Sequence, residues 1–78
     1  MKKVKFVLNN TLLELGISHH RLAKEAGIRP NAIYDIRDNK KKTISLEDLG
    51  DILNALSKIA REEGIKREFD IDDVIIYQ

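Results

Sequence analysis

A helical pattern in the first half of the chain stops and resumes within four residues, and this interruption restricts the fold more than any other feature. Gly27 comes one helical turn after Ala23, and the only proline, Pro30, follows three residues later. Glycine adopts the positive φ of a sharp turn, and proline suits the first turn of a helix because the N–H that it lacks has no partner there. The spacing predicts two short helices that cross at a steep angle over residues 18–39.

Further helices are predicted on both sides of this pair. The run 9–11 (Asn-Asn-Thr) predicts the start of a helix that ends at Gly16, and Ser18 is a suitable N-cap for the first crossed helix. Ser45 predicts the start of the longest helix, which ends at Gly64. The apolar stripe of that helix consists of Leu49, Ile52, Leu53, Leu56, Ile59 and Ala60.

The two ends of the chain carry strand signals. Residues 2–7 alternate in polarity, and residues 74–77 are β-branched or aromatic, which is typical of a strand. Asp70, followed by Asp73 three residues later, instead predicts a short capped helix. Both alternatives for the tail stay open at this point. A strand over residues 73–77 would pair with residues 2–7 and join the two ends.

These elements predict a single domain over residues 1–78. Its fold class is mainly α, a compact bundle of four to five helices, with a short strand pair between the two ends as one alternative. The chain has no cysteine, which fits a reducing compartment and leads us to expect a cytoplasmic protein. No apolar run approaches the roughly 20 residues that a membrane-spanning helix needs.

Charge is distributed unevenly along the chain. Residues 1–42 carry ten Lys and Arg against four Asp and Glu, whereas residues 43–78 carry four against nine. A basic half of this kind can present a face to a polyanion while the net charge stays near zero. Three lysines directly follow the second crossed helix, and we expect them to contact phosphate; the alternative is a solvated loop. They are Lys40, Lys41 and Lys42.

The second crossed helix has an outward side with base-reading chemistry. With Ile33 and Ile36 buried, the helical period turns four residues outward, namely Asn31, Tyr34, Asp35 and Asp38. Asn31 can make a bidentate contact to adenine, and Arg29 can do the same to guanine. Tyr34 can bond phosphate or pack on a thymine methyl group, although covering the core edge is its alternative role. Asp35 can accept from cytosine, or it can exclude other sequences by its charge.

Other classes of site are poorly supported by the sequence. The chain has no cysteine nucleophile, no glycine-rich phosphate loop and no paired carboxylates near a histidine, so we predict no enzymatic activity, no cofactor and no small-molecule substrate. His19 and His20 are adjacent, and adjacent side chains on a helix point apart, so we predict no metal site.

Residues 16–56, "GISHHRLAKEAGIRPNAIYDIRDNKKKTISLEDLGDILNAL", resemble the Cro/repressor-type (XRE family) helix-turn-helix transcriptional regulators of bacteria and phages. The resemblance implies a repressor-type bundle that binds double-stranded DNA in a sequence-specific manner, usually as a homodimer. Ser18 and His19 match family positions that contact phosphate and the outer base pairs. Asn39 stands where the family often has glycine.

The resemblance also implies roles for the residues that follow. Arg29, Asn31 and Tyr34 match positions that read base edges, and Lys40 and Lys42 match positions that contact the DNA backbone. The first hypothesis is therefore a repressor that acts as a dimer. Its dimer surface is expected in the segment 65–78 and its surroundings, where apolar side chains are numerous. These are Ile59, Ile65, Phe69, Ile71, Val74, Ile75, Ile76 and Tyr77. The alternative is a protein-interaction module or antitoxin-like partner that docks through the acidic half.

Overall fold

The computed structural model describes residues 1–41 and 43–78. A short strand, β1, precedes four helices, and a 3-10 helix and a second strand, β2, complete the chain. Their bounds are Val4–Phe6 for β1, Leu8–Leu15 for α1, His19–Ala26 for α2, Pro30–Arg37 for α3, Leu46–Glu62 for α4, Ile71–Asp73 for the 3-10 helix and Ile75–Tyr77 for β2. The architecture confirms the predicted mainly α bundle with a strand pair at the ends.

The interrupted segment folds as the two predicted crossed helices. The hydroxyl oxygen of Ser18 accepts a hydrogen bond from the amide of Arg21 at 3.0 Å, which caps α2. Gly27 ends α2 in the left-handed region with a φ of 69°. Pro30 occupies the first turn of α3, as predicted, and Asn39 takes a positive φ of 56° just after that helix.

The predicted start of α1 is wrong, because the helix begins before the capping run 9–11. The helix begins at Leu8 with Val7 as its N-cap residue, and no side chain caps it. The amide of Val7 donates to the carbonyl of Val74 at 2.7 Å, so the chain passes directly from β1 into the helix. Thr11 is buried inside the helix, and its hydroxyl donates to the carbonyl of Asp73 at 2.6 Å. The local sequence predicts Thr11 as a capping residue, whereas in the fold its hydroxyl makes a tertiary hydrogen bond.

The core is apolar and lies between α2, α3, α4 and the inner side of α1. Ala23 is buried where α2 packs against its neighbours, and Ile33 and Ile36 bury the inner side of α3. The small side chain at Ala23 allows close approach of the helices, since a larger one would overpack this position. The largest fully buried side chains are Leu8, Leu12, Leu22, Ile33, Ile52, Leu56, Ile59 and Val74.

Both alternatives for the tail occur, one after the other. Asp70 and Asp73 form a reciprocal capping box around the 3-10 helix, and β2 follows it directly. β2 pairs with β1 in an antiparallel register that places Val4 opposite Tyr77 and Phe6 opposite Ile75. The strand pair therefore joins the two ends of the chain.

Two residues proposed for a dimer surface are wrong because they lie inside the domain. Ile59 and Val74 are fully buried, so they belong to the core of one copy. Ile71 and Tyr77 of the same set are exposed, and Val4, which pairs with Tyr77, adds exposed apolar area. In the part of the chain that the structure describes, no helix is both long and apolar enough to cross a membrane.

Candidate nucleic-acid interface

The outward side of α3 is open to solvent along its first two turns. Arg29, Asn31 and Asp35 are exposed, whereas Ile33 and Ile36 on the opposite side are buried. Within residues 1–41 and 43–78, the side chains of these three polar residues form neither a hydrogen bond nor an ion pair. The guanidinium of Arg29, the N-cap residue of α3, and the amide of Asn31 in the first turn are thus free to bond an external partner.

Tyr34 lies half-buried at the border between α2 and α3. Its ring lies 5.9 Å from the ring of His19 between centroids, and the guanidinium carbon of Arg37 lies 4.8 Å from the same ring centroid. Aromatic and cation–π contacts at these distances restrict the orientation of the ring. Both roles weighed for Tyr34 therefore remain compatible with its position, since the ring is packed while part of the residue reaches solvent.

Arg37 also pairs with its neighbour Asp38. The guanidinium donates two hydrogen bonds to the carboxylate, at 2.9 and 3.1 Å. These bonds lower the pKa of Asp38 below its ordinary value and raise the pKa of Arg37. The pair holds an arginine at the border of the α3 face while offsetting its charge.

Sequence reasoning missed Arg37 as a member of this face. One signal was present, because Arg37 comes three residues after Tyr34 and therefore lies on the same side of a helix. Its engagement with Asp38 cannot be deduced from spacing, because adjacent residues on a helix normally point apart.

His19 and Ser18 form the N-terminal end of α2. Burial lowers the pKa of His19, the nearby charge of Arg37 lowers it further, and Asp38 opposes the shift. These effects favour the neutral imidazole, and its Nε2 is buried without a hydrogen-bond partner among the described residues. Ser18 is exposed and caps the helix, so its hydroxyl and the positive end of the helix dipole lie at one place.

The lysines after α3 differ in their placement. The amides of Lys40 and Lys41 both donate to the carbonyl of Asp35, at 2.8 and 3.3 Å, which folds the loop back onto α3. Lys40 is exposed, whereas Lys41 is half-buried and lines a groove of about 250 Å³ with Val4 and Phe6. Lys42 lies outside the described residues.

The sequence predictions for this face therefore divide into two groups. The structure brings together Ser18, His19, Tyr34 and the open side of α3, and it holds the Lys40 backbone against that helix. Lys41 is directed toward the groove beside β1. No cluster of three or more potential metal-binding His, Cys, Asp or Glu side chains occurs within residues 1–41 and 43–78.

Two short helices crossed at a glycine turn, with one outward polar side, form the helix-turn-helix arrangement. Residues 7–66 match the family model of the Cro/C1-type HTH DNA-binding domain. The chain belongs to this family. No curated protein and no solved structure matches the chain significantly.

Membership in the Cro/C1-type family assigns double-stranded DNA as the partner of the chain. The matched range extends from the residue before α1 to four residues beyond α4, so it includes all four helices. The terminal strands β1 and β2 lie outside it.

Proposed function

We propose that this chain is a sequence-specific transcriptional regulator of repressor type, which binds double-stranded DNA by inserting α3 in the major groove. One observation supports it most directly: in a Cro/C1-type domain, Arg29 at the N-cap of α3 and Asn31 in its first turn are exposed and have no side-chain partner inside the described chain. Unpartnered donors on a rigid helix retain their hydrogen-bonding capacity for base edges. The proposed function is DNA binding alone, without catalysis, a cofactor or a small-molecule substrate. The proposed location is the cytoplasm.

Base contacts come from the first turns of α3 in this proposal. Asn31 bonds N6 and N7 of adenine, and Arg29 bonds O6 and N7 of guanine. Tyr34, restricted by His19 and Arg37, packs on a thymine methyl group or bonds phosphate. Asp35 accepts from cytosine N4 and disfavours sequences that would leave its charge without a donor.

Backbone contacts come from the two ends of this surface. Ser18 and His19 at the start of α2 face one phosphate, since amides at a helix N-terminus attract anions. Lys40 meets the backbone on the other side, with Lys41 and Lys42 adding positive charge to the same loop. These contacts set register and affinity, whereas those of Asn31 and Arg29 set sequence preference.

Repression is proposed to work by occlusion, with a homodimer placing two copies of α3 in successive major grooves about one helical turn apart. The outer edge of β2 supports a route to that dimer, because Ile75 and Tyr77 direct their backbone groups away from β1 in this register. No backbone partner for these groups occurs in the described part of the chain. Two copies of β2 paired about a two-fold axis would satisfy the free backbone groups on the outer edge of each copy.

Sedimentation over a range of concentrations tests the dimer. Wild-type protein should dimerise, and Tyr77→Lys should shift the equilibrium toward monomer because Tyr77 is 68% exposed beside the pairing edge. Leu13→Lys is the matched control, since Leu13 is an equally exposed apolar residue, 71% exposed, on α1. A wild-type monomer at all concentrations would contradict the homodimer.

The alternative, a protein-docking module or antitoxin-like partner, relies on a free acidic half. Several of those carboxylates are used inside the chain instead. Asp73 pairs with Arg67 at 2.6 Å and caps the 3-10 helix, and Glu63 pairs with Arg21. These pairings reduce the acidic surface that remains for a protein partner, and they favour the DNA-binding proposal.

Selection of duplexes from a random pool, repeated across salt concentrations, tests the proposed function. We expect one enriched site, and a two-fold symmetric one if the dimer forms. The logarithm of affinity should fall linearly with the logarithm of salt, with a slope of about −0.9 per phosphate neutralised. The absence of any enriched sequence would contradict sequence-specific binding.

A further inference from the structure

Asn39 makes a pair of contacts that reaches from the end of α3 to the first strand. Its side-chain oxygen accepts from the amide of Phe6 at 3.1 Å, and its side-chain nitrogen donates to the carbonyl of Phe6 at 3.5 Å. The amide group of one side chain therefore bonds both backbone groups of one strand residue. This is how a neighbouring strand would bond it.

The strand pairing explains why these two backbone groups are available. Val7 donates to Val74 at 2.7 Å, and Lys3 exchanges two hydrogen bonds with Gln78, at 2.7 and 2.9 Å. Because bonding directions alternate along an antiparallel strand, the backbone groups of Phe6 point away from β2. Asn39 thus covers the outer edge of β1 at Phe6, the last residue of the strand.

Asn39 also holds an unusual position in the chain. Its φ of 56° lies in the left-handed region, which asparagine tolerates better than most residues. It directly precedes Lys40, whose amide is bonded to the carbonyl of Asp35. The start of the lysine loop is consequently fixed at two points, to α3 through its backbone and to β1 through Asn39.

We propose that Asn39 is a positioning residue for DNA binding: it links the terminal strand pair to the end of α3 and holds Lys40 against the DNA backbone. This inference rests on the proposed function. It gives the strands, which lie outside the range matched by the family model, a part in the affinity of the helix-turn-helix surface. Asn39 itself does not contact DNA in this proposal.

The test compares Asn39→Gly with Asn39→Ala. Both variants lose the side-chain amide, but glycine accepts the positive φ and alanine does not. If the link matters, both variants should bind the selected duplex about threefold to tenfold more weakly at equal folded fraction, the size expected when one or two hydrogen bonds are lost. Both should also show a smaller salt slope, because Lys40 is held less firmly.

Amide hydrogen exchange supplies a readout that general destabilisation does not move in the same way. In Asn39→Gly the amide of Phe6 should exchange at least about tenfold faster, whereas that of Val7, bonded to Val74, should change little. Equal acceleration at both amides would show that the strand pair has simply become less stable, and it would overturn the link.

Two further outcomes separate this inference from the function on which it rests. If Asn39→Gly matches wild-type affinity and salt slope while only Asn39→Ala is weak, the backbone conformation alone matters and the positioning role is overturned. If wild-type protein binds no duplex, the proposed function fails and the positioning role fails with it. The exchange rates of Phe6 would then still establish whether the bond to Asn39 forms.

Discussion

The start of α3 and the segment 67–78 differ in how their polar side chains are paired. The side chains of Arg29, the N-cap residue of α3, and of Asn31 have no partner among the described residues. In the C-terminal segment, Arg67 bonds both Glu14 and Asp73 at 2.6 Å, and its guanidinium carbon lies 5.0 Å from the Phe69 ring centroid. Both regions are rich in charge, so composition alone does not separate them.

We infer from this difference that the segment 67–78 stabilises the fold, and we propose that the start of α3 binds. A polar group paired inside the chain contributes to folding, and its removal leaves a partner unsatisfied. A polar group without an internal partner adds little to stability and keeps its bonding capacity for a ligand. Substitutions in the two regions should therefore affect different measurements.

The largest effect is expected at the C-terminal segment, with Asp73→Ala. Asp73 accepts from Arg67 and from the amide of Asp70, so the variant loses an ion pair and one half of a capping box. We expect the free energy of unfolding to fall by about 2–3 kcal/mol, measured by urea denaturation. Asp72→Ala is the control, because Asp72 is exposed and no hydrogen bond from its side chain occurs in the described residues.

The same Asp73→Ala protein should keep its sequence preference when it is assayed under conditions where it is folded. A change of preferred site would contradict the division between the two regions, because it would show that the C-terminal segment determines base readout.

The next effect is the reverse case, Asn31→Ala on α3. Loss of one bidentate base contact should weaken binding to the selected duplex by about 1–2 kcal/mol and relax preference at one base pair. The free energy of unfolding should stay within about 0.5 kcal/mol of wild type, since the residue is exposed and unpartnered. A large loss of stability with unchanged affinity would contradict the role given to Asn31.

A smaller effect is expected for Lys40→Ala. Removal of one phosphate contact should weaken binding to specific and non-specific duplexes alike, and it should reduce the salt slope by about one unit. Lys58→Ala is a suitable control, because Lys58 lies on α4, outside the proposed interface, and pairs with Glu25 at 3.2 Å. An unchanged slope for Lys40→Ala would remove this lysine from the interface.

The smallest effect concerns pH and His19. Burial lowers the pKa of His19 below its ordinary value of 6.5, so just below pH 6.5 the unfolded chain binds more protons than the folded one. The contribution of His19 to the free energy of unfolding should therefore be fully present above about pH 6.5, and it should decline as the pH falls below that value. The pKa of Asp38 is also lowered, but its contribution is lost only below 3.8, outside this window.

Urea denaturation at pH 7.5 and pH 5.5 measures this dependence. His19→Gln should flatten it relative to wild type, whereas His20→Gln, at the exposed neighbouring position, should leave it unchanged. Equal flattening by both substitutions would show that the dependence does not arise from the environment of His19.

The crossed helices could be predicted from the sequence because their signals are local. Gly27, Pro30 and Ser18 each act within a few residues of their own position, and all three have the predicted conformation or bond. The outward side of α3 followed from helical period once Ile33 and Ile36 were assigned to the core. The functional roles of the residues on that side remain predictions.

The features that could not be predicted depend on contacts between distant parts of the chain. Thr11 looks like a cap until the carbonyl of Asp73, 62 residues away, is placed beside it. Ile59 and Val74 look available for a dimer because composition does not show which apolar side chains face inward. The bond between Asn39 and Phe6 spans 33 residues and has no local signature.

The pairing of Val4 with Tyr77 closes a loop that contains all four helices. Closing so long a loop is entropically costly, and three residue pairs offset only part of that cost, so we expect the ends to meet after the helices have assembled. A destabilising substitution confined to β2 should then increase the unfolding rate and leave the folding rate nearly unchanged. The pairing of β1 with β2 would therefore slow the unfolding of the domain more than it would speed its folding.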